Sequence, residues 1–65
     1  MSDKLRFDVV AQGPTVLSSH AEPKEAAEAA KKAALADGAI VEVHDKELKR
    51  AIFRARGGES RWITR

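Results

Sequence analysis

Half of the sixteen residues from Ala21 to Ala36 are alanine, and this stretch constrains the fold more than any other. Pro23 suits the first turn of a helix, where a missing N–H costs nothing. Glu22 and Glu25 place negative charge at that positive end. On a helical projection Ala26, Ala29, Ala30, Ala33 and Ala34 gather on one broad face, and Leu35 falls off it toward solvent. Asp37-Gly38 stops the helix, with Gly38 suited to a left-handed cap. A face of methyl groups lets a helix approach a sheet closely. It contributes little burial, since each buried CH₂ is worth only about 0.8 kcal/mol. The bulk of the core must come from strands.

Alternation supplies those strands. Leu5, Phe7, Val9 and Ala11 alternate with Arg6, Asp8, Val10 and Gln12, which predicts a strand with one apolar face. Gly13-Pro14 makes a turn, and Thr15 to His20 completes a hairpin. After the helix, Ala39, Val41 and Val43 alternate with Ile40, Glu42 and His44 in a third strand. Asp45 and Lys46 read as a turn. Leu48 to Arg56 predicts a fourth strand, with Lys49, Ala51, Phe53 and Ala55 on one face and Leu48, Arg50, Ile52, Arg54 and Arg56 on the other. Gly57-Gly58 then releases residues 59–65 as a short tail. The expectation is an α+β fold: a single ββαββ domain over residues 1–58, its four-stranded antiparallel sheet carrying the Ala-rich helix on one face. The second face is left to solvent or to a partner.

Lys24-Glu25-Ala26, then Ala30 and Ala34, then Val41-Glu42-Val43-His44-Asp45 resemble a family of small uncharacterised bacterial domains. That family pairs a Lys-Glu-Ala helix start with a Val-x-Val-His strand that runs into a turn. The likeness covers roughly residues 5–56. It implies the same strand–strand–helix–strand–strand plan, and it implies no activity and no functional residue.

Sixty-five residues make one domain, and the absence of cysteine excludes disulfides and zinc–thiolate clusters. A chain this short buries only about 60% of its unfolded surface. Scaffolds without such staples gain burial by oligomerising, so a homodimer is expected, closed over a sheet face carrying Leu48 and Ile52. The opening Met-Ser-Asp-Lys-Leu-Arg-Phe-Asp has no apolar core of a signal peptide, and no apolar run approaches a membrane span. The reading is cytoplasmic, with no membrane partner.

Charge carries the functional reading. Residues 46–65 hold seven basic groups and two acids, a net +5, whereas residues 1–45 are net −3. A basic pole attracts phosphate backbones or acidic proteins. Alternation sets Arg50, Arg54 and Arg56 on one strand face with Ile52 between them, and Lys49, Arg61 and Arg65 add to the same pole. Such a strand suits phosphate contact. The same charges also protect an exposed edge strand from aggregation. Two Phe, one Trp and no Tyr argue against a platform for stacking bases. Trp62, beyond the Gly-Gly pair, either lies back over the lean interior or anchors a partner.

His20 and His44, beside Glu22 and Asp45, lack ligand spacing and read as surface histidines. Adjacent strand residues point to opposite faces, so Ser19 and His20 form no dyad. No Gly-rich phosphate loop is present. The expectation is a non-enzymatic binding module, without cofactor or metal, that contacts nucleic-acid phosphates through Arg50, Arg54, Arg56, Lys49, Arg61 and Arg65. The alternative is a protein-interaction module, a small regulator or inhibitor, that binds an acidic protein through the same arginines and Trp62.

Overall fold

The structure, a computed structural model, describes residues 5–13 and 15–63. Strands β1 (Phe7–Ala11) and β2 (Thr15–His20) precede helix α1 (Pro23–Asp37), and β3 (Ile40–Asp45), β4 (Arg50–Arg56) and β5 (Glu59–Trp62) follow it. They form one antiparallel sheet in the order β2-β1-β3-β4-β5. The α+β plan with one helix is as expected, but the sheet has five strands rather than four. Residues 59–62, read as part of a tail, pair along β4. Gly57 takes φ 56°, the positive value that a tight two-residue hairpin turn needs and glycine adopts freely, so the chain folds straight back.

α1 lies on one face of the sheet. Ala26, Ala30 and Ala34 are fully buried there against Phe7, Val9, Val41, Val43 and Phe53. Pro23 opens the helix behind an extended Glu22. Gly38, at φ 67°, closes it by donating its N–H to the Ala34 carbonyl at 2.7 Å. Leu35 is 69% exposed, in keeping with its place off the alanine face.

The β3–β4 pairing contains a bulge that the sequence pattern did not show. Val43 stands opposite Phe53, but His44 stands opposite Ala51, so Ile52 is an extra residue. One extra residue inverts the side-chain alternation beyond it. Ala51, expected under the helix with Phe53, therefore shares the open face with His44. Arg50 falls opposite Asp45 and out of phase with Arg54 and Arg56. Ile52 packs against the core, and Leu48 lies in the exposed turn before β4. The apolar patch expected on the uncovered face, Leu48 with Ile52, does not form.

Asp45 is more than a turn residue. It is only 2% exposed. Its carboxylate accepts hydrogen bonds from Arg6 Nε at 2.8 Å and Nη2 at 2.9 Å, and from the backbone N–H groups of Glu47 at 2.9 Å and Leu48 at 3.2 Å. The Arg6 hydrogen bond holds this carboxyl below its ordinary pKa range, against the opposing effect of burial, and the turn N–H groups act in the same direction as Arg6. The turn closes with Lys49 at φ 56°, its N–H donated to the Asp45 carbonyl at 2.6 Å.

Candidate functional site

The helix leaves the other face of the sheet open. Register places Asp8 and Val10 of β1, Glu42 and His44 of β3, and Arg54 and Arg56 of β4 on that face. The β4–β5 hairpin adds Arg61 directly opposite Arg54, and Glu59 directly opposite Arg56. A shallow groove at this end of the sheet is lined by Ile40, Arg54, Arg56, Glu59 and Arg61.

Arg54 is tethered. Its Nε and Nη2 lie 3.0 Å and 2.9 Å from Glu42 Oε2. The other carboxylate oxygen, Oε1, is 3.0 Å from His44 Nε2. The His44 hydrogen bond first, and Arg54 after it, hold the Glu42 carboxyl below the ordinary carboxylate range, while partial burial opposes them. The chain of His44, Glu42 and Arg54 therefore fixes one guanidinium in place. Among the described residues no carboxylate lies within ion-pair distance of Arg56 or Arg61.

Arginines set face to face across a ladder repel each other and weaken the pairing. A tethered guanidinium, a second opposite it and a third two residues along form a compact cationic corner. Its chemistry is the binding of an anion that can take hydrogen bonds from several guanidinium groups at once.

The structure brings together Arg54, Arg56 and Arg61 of the residues singled out by sequence. Arg50 lies at the far end of β4, some 20 Å from Arg56 at about 3.3 Å per residue, and Lys49 lies in the turn before it. Trp62 stands opposite Phe53, on the helix side, with ring centroids 4.8 Å apart in an edge-to-face arrangement. Arg65 lies outside the described residues. Glu42 and His44 were not singled out as parts of the basic site. Their shared face is readable from their spacing in β3, but their meeting with Arg54 depends on strand register.

The histidines lie on opposite faces of the sheet. His44 faces the open side, whereas His20 stands opposite Phe7, on the helix side, and β1 separates their strands. Ser19 donates to Asp8 Oδ1 at 2.6 Å on the open face, so it is separated from His20 as alternation required. The serine beside His20 is Ser18, with Oγ and Nε2 2.9 Å apart. No three His, Cys, Asp or Glu side chains converge as a metal site among the described residues. No described helix is long and apolar enough to cross a membrane.

The chain matches no family model, and no curated protein and no solved structure is significantly similar to it.

Proposed function

We propose that this protein is a small non-enzymatic binding module whose arginine corner contacts the phosphates of a nucleic acid. The observation that carries the reading is the Arg54–Arg61 pair. The hairpin sets two like charges directly opposite each other, a placement that costs the fold stability and makes sense where an anion is to be held. Arg56 extends the corner along the strand, and Glu42 holds Arg54 against drift.

Contact of this kind reads charge and not base identity. Phe7, Phe53 and Trp62 lie on the helix side, so among the described residues no Phe or Trp ring is offered on the open face to stack a base. The separation also bears on the acidic-protein alternative. Arg61 and Trp62 are neighbours in one strand and point to opposite faces, so one flat partner surface does not engage both.

The test is anisotropy of a labelled duplex oligonucleotide, with wild type beside the variant Arg54→Gln, Arg56→Gln, Arg61→Gln. Wild-type affinity should fall with salt on a log–log slope of roughly −2.7, three contacts at about −0.9 each. It should be indifferent to sequence, and the triple variant should lose the binding while melting near wild type. Equal binding by the triple variant, or no shift for wild type at low salt, would remove this reading.

A further inference from the structure

We propose that the β5 edge pairs antiparallel with the β5 edge of a second copy of this chain, joining two five-stranded sheets into one. Ile63 donates its N–H to the Ile52 carbonyl at 2.9 Å. Backbone groups alternate in and out along an antiparallel ladder. Glu59, Arg61 and Ile63 therefore turn their backbone groups toward β4, and Ser60 and Trp62 turn theirs to the open edge.

A second β5 must match outward residues to outward residues, which leaves few registers near the middle of so short a strand. One register sets Glu59 against the partner's Glu59. Another sets Arg61 against the partner's Arg61. Both face like charges. The register between them, centred on Ser60, sets Glu59 against the partner's Arg61 and Arg61 against the partner's Glu59. The strand is thus self-complementary in charge in one register and repulsive in the registers on either side.

That register also places Trp62 across from the partner's Gly58. The indole is 49% exposed in the single chain. An aromatic side chain laid across an edge glycine helps to pin strand register.

The opposite edge does not invite the same pairing. β2 carries the register shift at Val9/Val10, which leaves Leu17 unmatched. A bulge of this kind blunts an edge. The β4–β5 ladder has no such shift, so β5 offers a regular edge. The two-fold axis runs through the sheet, so both open faces stay on the same side. The arginine corners of the two copies then lie beside each other on one continuous surface. Four residues of edge bury far less than the roughly 1,200 Å² of a stable complex, so the association is weak and depends on concentration.

Sedimentation velocity from low micromolar to millimolar concentration tests this without any nucleic acid. Emission from Trp62, the only tryptophan, reports burial of the indole. Wild type should dimerise as concentration rises, with the emission moving to shorter wavelength. Ser60→Pro deletes an outward donor that the β4 ladder does not use, and should stay monomeric. Arg61→Glu faces the partner's Glu59 and should also stay monomeric, yet melt no lower than wild type because it no longer opposes Arg54. The double variant Glu59→Arg, Arg61→Glu restores opposite charges and should dimerise again. A wild type that is monomeric at millimolar concentration, a Ser60→Pro protein that dimerises, or a double variant that stays monomeric would each overturn the pairing.

Discussion

The two faces of the sheet are made by the same strands and obey different rules. On the helix side Val9, Val41, Val43 and Phe53 are shut away from water against alanine methyl groups. Fully burying a side chain of that size is worth about 1.5–3 kcal/mol, so this side holds the fold together. On the open side Glu42, His44, Arg54 and Arg61 meet solvent, and the Glu42–Arg54 ion pair is partly exposed. Exposed pairs of that kind contribute about 0–1 kcal/mol. One face carries the stability, so the other can accumulate charge, including a repulsive arginine pair whose cost is small beside what the covered face contributes.

The sharpest way to break this contrast is Phe53→Ala. Phe53 is 1% exposed at the centre of the covered face. Truncation of a buried Phe costs about 3–5 kcal/mol. Small domains total around 5 kcal/mol at the low end, so the variant should be largely unfolded in a urea titration. A shift of a few degrees in Tm would show that the covered face does not carry the fold.

Asp45→Asn should come next, because it removes a buried carboxylate whose charge Arg6 and the turn N–H groups are arranged to hold. The folded pKa is depressed, so the stabilisation is complete above the unfolded value of about 3.9 and vanishes as pH falls through the lower folded value. The variant should melt several degrees below wild type at neutral pH, and the gap should close below pH ~4 as wild type loses its advantage. A gap that does not change with pH would show that packing, and not charge, accounts for the loss.

The smallest effect belongs to the open face. Glu42→Gln frees Arg54 and leaves it unscreened against Arg61. The expected cost is under about 1 kcal/mol, shrinking as salt is added. A loss approaching that of Phe53→Ala would mean that the two faces are not independent.

The helix, β1 and β3 are legible in the sequence because their apolar periods match the elements they form, and the first hairpin is legible from the Gly13-Pro14 interruption. The remainder depended on relations that no local pattern contains. Ile52 sits in an unbroken alternation, and only the mismatch of β3 against β4 makes it a bulge and sends Arg50 out of phase with Arg54. Glu59-Ser60-Arg61-Trp62 has no apolar alternation, so β5 looked like a tail, and Gly57-Gly58 looked like a release when it is a reversal. Asp45 reads only as a turn residue because its partner, Arg6, is 39 residues away. Of the arginine corner, Arg54 and Arg56 were visible from spacing alone. The arrival of Arg61 opposite Arg54 required the hairpin.

The strand order also predicts a sequence of events in folding. β3, β4 and β5 follow one another along the chain and lie side by side, so their contacts form by short excursions of the backbone. β1 joins β3 only after the whole of α1 has been looped out, with Phe7 brought to Asp45. Closing a long loop is the slow, entropically costly step in assembling a small domain. The three-stranded C-terminal ribbon is therefore expected to be in place early, with the Arg6–Asp45 clasp snapping shut near the end. A clasp that forms late leaves the rate of folding almost untouched when it is weakened, and acts as a brake on unfolding.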